Sequence, residues 1–146
     1  NWERPKREVS LLMGLLKKFL QSELGTLMDN GVRLVHAGRR ARLPNDVLTL
    51  LDDTIAKTAG NQGMRLCLAI SYGARQELAD AVRAIAKDVK SGALQPDAVD
   101  ETTIASRLYQ PTLPDPDLLI RTAGEMRVSN FLLWQAAYAE RYIQTQ

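Results

Sequence analysis

Asp117-Leu-Leu-Ile-Arg-Thr-Ala-Gly-Glu-Met-Arg-Val-Ser-Asn-Phe-Leu-Leu-Trp-Gln-Ala-Ala-Tyr-Ala-Glu140 passes from an apolar strand into a charged turn and leaves through an aromatic-rich stretch that ends on a carboxylate. Asp117–Thr122 has the short apolar run of a buried strand. The turn after it brings Arg121, Arg127, Val128 and Ser129 close together in sequence. A guanidinium is planar and always charged, and it matches the oxygens of a phosphate bidentately; a hydroxyl adds a further short donor. An Arg beside a buried strand is costly without a counter-charge, so an anion is the natural ligand. Plainer readings stand beside this one: a salt bridge from Arg121 to Asp115 or Asp117, a solvated Arg127, and Ser129 as the N-cap of a short helix over Asn130–Tyr138. Ala139–Ile143 reads as a last strand.

Working outward, the chain alternates helices and strands. Pro5 suits a first helical turn, and Val9, Leu12, Met13, Leu16, Leu20, Leu24, Leu27 and Met28 follow at helical spacing up to the stop signal Asn30-Gly31. Val32–Ala37 reads as a strand, Pro44–Thr58 as an amphipathic helix and Met64–Ile70 as a short apolar strand. A helix over Ala74–Lys90 shows Leu78, Val82, Ile85 and Val89 on one face, and Asp100–Leu108 reads as a short capped helix. This order predicts an α/β fold with a mainly parallel sheet flanked by helices. Ligands of such sheets sit beyond the carboxyl ends of the strands. Gly38 with its loop, Ser71-Tyr72-Gly73, and Arg121 with its turn all fall at that edge.

Composition excludes several classes. With 45% hydrophobic and 25% charged residues and a net charge of +2, the chain reads as an ordinary globular α/β domain over residues 1–146. No apolar run is long enough for a membrane span. Arg33, Arg39, Arg40 and Arg42 form a basic cluster without interleaved aromatics, which reads as a solvated loop rather than a nucleic-acid surface. Cys67 lies in an apolar strand without a partner cysteine and reads as a buried structural thiol of a reducing, cytoplasmic compartment. His36, the sole histidine, has no companion metal ligand in sequence.

The stretch 117–140 closely resembles the signature of the cis-prenyltransferases, the undecaprenyl diphosphate synthase family, D-L-(V/I)-I-R-T-G-G-E-x-R-(I/L/V)-S-N-F-(L/M)-L-W-Q-x-A-Y-x-E. Asn1-Trp2-Glu3-Arg4-Pro5 is similar to a second block, E-N-W-x-R-P, without its leading Glu, and Ser71-Tyr72-Gly73-Ala74-Arg75 to a third, N-Y-G-G-R. The blocks occur in the family's order across essentially the whole chain. The resemblance implies elongation of an allylic diphosphate, such as farnesyl diphosphate, by isopentenyl diphosphate with cis double bonds, to a long polyprenyl diphosphate. It implies that Arg121, Arg127, Val128 and Ser129 bind isopentenyl diphosphate, that Trp2 and Arg4 bind substrate, and that Asn1 assists removal of the proton. Glu140 is implied as a ligand of Mg2+, often reached from the neighbouring subunit of a homodimer. Peripheral membrane contact through the lipid product is also implied. The helix from Pro5 would line a hydrocarbon tunnel, with Leu12, Leu16, Leu20 and Met64 limiting product length.

A Met-Asp-Gly-Asn block that holds the family's central metal-binding Asp precedes E-N-W-x-R-P and is not among these residues. The expectation is therefore an internal portion of a longer domain whose first strands lie ahead of Asn1, inactive by itself. The alternative is a non-catalytic partner subunit on the same fold. Ala123 and Ala74 stand where the family has Gly, and Ser71 where it has Asn. A Cβ at 74 or 123 would cost stability or affinity if the backbone there needs φ > 0.

Overall fold

The computed structural model describes residues 5–122, 124 and 126–144. They form two units that divide between Ser71 and Tyr72. Each is built on a pair of parallel strands flanked by helices.

The first unit begins with α1 (Lys6–Ser22) and α2 (Leu24–Asp29). The apolar spacing predicted one helix here. The helix bends instead at Glu23 (φ −95°, ψ −2°), between Ser22 and Gly25, the residue types at which helices kink. α2 ends in a Schellman motif: the Val32 N–H donates to Leu27 O (2.8 Å) and the Gly31 N–H to Met28 O (3.1 Å), with Gly31 at φ +63°. Gly31 is there because the left-handed backbone at that position is strained for any residue with a Cβ.

β1 (Arg33–Ala37) and β2 (Arg65–Ala69) pair in parallel register, from Arg33 opposite Arg65 to Ala37 opposite Ala69. α3 (Asn45–Thr58) makes the crossover between them. Leu16 and Leu20 of α1, Leu34 of β1, and Leu43, Val47 and Leu51 form the core of this unit. Their spacing along α1 and α3 is that of an apolar stripe facing a strand. Thr58 closes this core. Its buried hydroxyl donates to Thr54 O (2.8 Å) and accepts the Leu34 N–H (3.1 Å), satisfying a strand donor that points away from β2.

The carboxyl edge of the pair is held as tightly. Gly38 has φ +132°, and a Cβ there would lie 2.1 Å from Ile70 O. His36 is buried, with Nε2 3.0 Å from Ile70 O, and burial pulls its imidazole below the ordinary value. The arginine cluster is partly paired, since Arg40 makes an ion pair with Asp52.

In the second unit α4 (Ala74–Lys90) matches the predicted span, but its buried stripe differs. Ala74, Glu77, Ala81 and Ile85 are buried, whereas Val82 is 58% exposed. The prediction weighed residues by apolarity, and a carboxylate that finds enough donors can occupy the inner face instead. α5 (Glu101–Ala105) is shorter than expected and carries a capping box between Asp100 and Thr103. The bond from the Thr103 backbone N–H holds the Asp100 carboxyl below the ordinary value.

β3 (Leu118–Arg121) and β4 (Glu140–Ile143) pair in parallel, Leu118 opposite Glu140 and Arg121 opposite Ile143. The helix predicted over Asn130–Tyr138 is absent; turns and bends occupy that stretch. Ser129 (φ +52°), Asn130 (+60°) and Leu132 (+47°) are left-handed, which no right-handed helix accommodates. No helix among the described residues is long and apolar enough to cross a membrane.

Replacing Thr58 by Val keeps the shape and strands the Leu34 N–H. The expected loss is about 1–3 kcal/mol of unfolding free energy, while Thr58→Ser costs less than about 1 kcal/mol. Urea midpoints at constant m-value decide it, and equal midpoints for the two variants would refute the role of the hydroxyl.

Candidate functional site: the turn beyond β3

The parallel pairing of β3 and β4 delivers Arg121 to the carboxyl end of its strand, half-buried. Beyond the strand Gly124 is left-handed, at φ +64°. A cavity of about 490 Å³ is lined by Leu119, Ile120, Arg121, Thr122, Val128, Ser129 and Phe131. A cationic and a hydroxyl-bearing residue therefore share one space with apolar ones. That is the arrangement expected for an anion with an organic tail.

The predicted residues distribute as follows. Arg121, Val128 and Ser129 share this cavity, whereas Arg127 is exposed and is not among its lining residues. Glu140 begins β4 opposite Leu118, so it lies about 10 Å down the strand pair from Arg121 at about 3.3 Å per residue. Its backbone N–H donates to Asp117 O (2.9 Å) and its side chain is exposed. Asn1, Trp2, Arg4, Ala123 and Glu125 lie outside the described residues. Ser129 is not an N-cap, because no helix starts at Asn130.

Three residues unremarked in the sequence hold the turn. Asn130 O accepts the Ala74 N–H (2.9 Å) and its Oδ1 accepts the Arg75 N–H (2.8 Å), so one asparagine caps α4 with both its oxygens. Glu77, 2% exposed, accepts from Tyr109 N (2.9 Å), Tyr72 OH (2.5 Å) and Gln135 Nε2 (3.1 Å). Burial first, and the bond to Glu77 second, push the Tyr72 phenol well above its ordinary value, so it stays protonated and donates. Tyr72 also packs edge-on against Phe131 (5.8 Å) and Tyr109 (6.1 Å). A carboxylate placed three residues after one Ala and four before another on a helix was the available sign of Glu77.

These contacts explain the block Ser71–Arg75. Gly73 is in extended backbone (φ −159°), and a Cβ there would lie 2.8 Å from Asn130 Nδ2, so glycine serves close approach rather than φ. Ala74 opens α4 in helical conformation, so its Cβ brings none of the expected backbone strain. Ser71 does occupy the left-handed region, at φ +54°.

In the first unit a smaller cavity of about 270 Å³ lies between α1 and the carboxyl end of β2, lined by Val9, Leu12, Met13, Leu16, Ala69, Ile70 and Ser71. Of the four residues expected on a hydrocarbon wall, Leu12 and Leu16 face it. Leu20 is core, and Met64, 63% exposed, precedes β2 at the opposite strand end.

Among the described residues no three His, Cys, Asp or Glu side chains converge to hold a metal ion. Glu140 offers a single carboxylate, which fits Mg2+ only in the manner typical of that ion, with substrate oxygens and water completing the shell.

A sequence model described as "Putative undecaprenyl diphosphate synthase" matches residues 1–146. An isoprenyl transferase of Geobacter sulfurreducens is 52% identical over 145 residues, which span 99% of this chain and 59% of that protein. One from Chlorobaculum tepidum is 49% identical over 140 residues, 96% of this chain and 53% of that protein. Among solved structures, lavandulyl diphosphate synthase from Lavandula x intermedia, in complex with dimethylallyl diphosphate, superposes with a TM-score of 0.95 at 36% identity, over 99% of this chain and 63% of that one. A probable undecaprenyl diphosphate synthase from Campylobacter jejuni gives 0.87, also at 36% identity, over 100% of this chain and 66% of that one. The chain thus spans just over half the length of the curated relatives it matches.

Gly73→Ala drives a methyl against the doubly bonded Asn130 amide and is expected to cost about 1–3 kcal/mol. Gly60→Ala, with nothing within 4 Å of the new Cβ, serves as the neutral comparison. Equal thermal midpoints for the two variants would show that Asn130 yields freely.

Proposed function

The chain belongs to the undecaprenyl diphosphate synthase family, and on that premise we propose that it supplies the isopentenyl diphosphate pocket of a cis-prenyl chain-elongating transferase. The observation that carries this reading is the cavity beyond β3, where Arg121 and Ser129 meet an apolar wall that includes Leu119, Val128 and Phe131. The pairing of a cationic donor with a hydrocarbon surface suits a five-carbon unit bearing a diphosphate.

In this reading Arg121 and Ser129 hold the diphosphate of the extending unit, and Arg127 reaches the same group from the turn. The allylic partner, such as farnesyl diphosphate, loses its diphosphate as the new carbon–carbon bond forms. Negative charge grows on the departing oxygens, and donors fixed in advance stabilise that charge without reorganising. Val128 and Phe131 exclude water from the hydrocarbon. Asn1 orients the acceptor of the proton released from the extending unit, because a neutral amide is too weak a base to take it alone. Trp2 packs on the allylic chain and Arg4 contacts its phosphate.

Mg2+, when bound, offsets charge on the departing diphosphate. Glu140 is the carboxylate this chain offers it, and its exposed position at the start of β4 suits presentation to a neighbouring subunit of a homodimer. The product is a long polyprenyl diphosphate such as undecaprenyl diphosphate, made in the cytoplasm and passed to a membrane surface. No nucleic acid takes part.

Two measurements test the reading on the intact protein supplied with farnesyl diphosphate, isopentenyl diphosphate and Mg2+. Arg121→Lys retains charge but loses the fork. Its expected effect is a KM for isopentenyl diphosphate raised about 10–100-fold, the usual worth of charge-assisted hydrogen bonds. An unchanged KM removes Arg121 from the pocket. Residues 1–146 by themselves are expected to incorporate no labelled isopentenyl unit, since they offer no clustered carboxylates among the described residues. Measured elongation would show that one carboxylate suffices.

A further inference from the structure

Ser129 is held in a conformation that its side chain does not favour. It is left-handed, at φ +52°, beside Asn130 at φ +60°, which begins the stretch over which a helix was predicted. Such strain persists only where the surroundings over-determine it. The surroundings here are the first turn of α4. Its Ala74 and Arg75 N–H groups grip Asn130 O and Oδ1, and its Glu77 grips Gln135 Nε2. Ser129 lies in the chain immediately before the first grip, and its neighbour Phe131, also on the cavity wall, packs on Tyr72, itself bonded to Glu77.

We infer that Glu77, Asn130 and Gln135 are positioning residues for the anion pocket, setting its affinity for isopentenyl diphosphate without touching the substrate. The inference rests on the proposed function and extends it to residues outside the cavity. Gln135 bears on this most directly. Its Nε2 donates to Glu77, yet its own Oε1 is buried with no hydrogen-bond partner. An orphaned buried acceptor costs stability, and the bond to a buried carboxylate offsets that cost while tying the segment that carries Gln135 to α4. Methionine has nearly the same length and would discard the orphan together with the tie. Glu77 ties three stretches together, with Tyr109 on one oxygen and Tyr72 and Gln135 on the other.

The experiment is steady-state kinetics on the intact protein, varying isopentenyl diphosphate and farnesyl diphosphate separately. For Gln135→Met the expected result is a KM for isopentenyl diphosphate raised roughly tenfold or more, since displacements of about 1 Å in a binding group have effects of that order and beyond. The KM for farnesyl diphosphate stays within about twofold, while the thermal midpoint falls because the buried Glu77 carboxylate loses one of its three donors. Glu77→Gln removes the charge that Gln135 Nε2 donates to and so weakens the same tie from the other side. Combined with Gln135→Met, it should raise KM no further than the larger single effect, as members of one unit do. An unaltered KM for isopentenyl diphosphate in Gln135→Met, or equal rises for both substrates, or fully multiplicative effects in the double variant, would overturn the inference while leaving the proposed function intact. No turnover by the unaltered protein would remove both.

Discussion

A carboxylate held at 2% exposure survives only if donors replace the water it has lost, and Glu77 has three. Those donors come from Tyr72 just ahead of α4, from Tyr109 after α5, and from Gln135 in the segment leading to β4. One ion thereby fastens three separate stretches of the second unit to the first turn of one helix. Removing the charge while leaving its donors in place would strand buried polar groups on every side. The arrangement is therefore all-or-none in character, which suits a region that must present side chains at fixed distances. Asn130 completes it by using two oxygens for the two N–H groups that α4 would otherwise leave unmet.

Parallel pairing imposes the second constraint. Each strand pair runs in register, so the carboxyl ends of both strands fall at one edge, and the loops that follow them gather there. In the first unit that edge holds Gly38 against Ile70 and places Ser71 on an apolar cavity below α1. In the second it holds Arg121 and the returning Val128-Ser129 segment. The same pairing carries Glu140 away from Arg121, because a strand that enters opposite Leu118 starts at the far end of its neighbour. The register thus places the Glu140 and Arg121 backbones at opposite ends of the strand pair.

The cavity beyond β3 sets Arg121 and Ser129 beside the apolar residues Leu119, Ile120, Val128 and Phe131. One substitution relative to the family pattern follows from local geometry. Ala74 is accepted because a helical backbone has room for its Cβ, while Gly73 is retained because Asn130 comes too close for one.

Much of this was legible along the chain. The strand Leu118–Arg121, the span Ala74–Lys90, the cap at Asp100 and the residue types of the turn beyond β3 all follow from local rules. Apolar periodicity, capping chemistry and the charge of a guanidinium are properties of neighbours in sequence, and a short window contains them. The buried face of α4 and the course of residues 129–138 were not legible. Periodicity counted Val82 as inner and passed over Glu77, and it drew a helix where the chain turns left-handed. The partners that decide those matters lie 55 positions from Asn130 and 58 from Gln135. Sequence alone therefore determined which chemical groups this protein carries in the turn beyond β3. Tertiary structure decided where they stand, because hydrogen bonds to a distant helix outweigh the local preference of the loop that carries them.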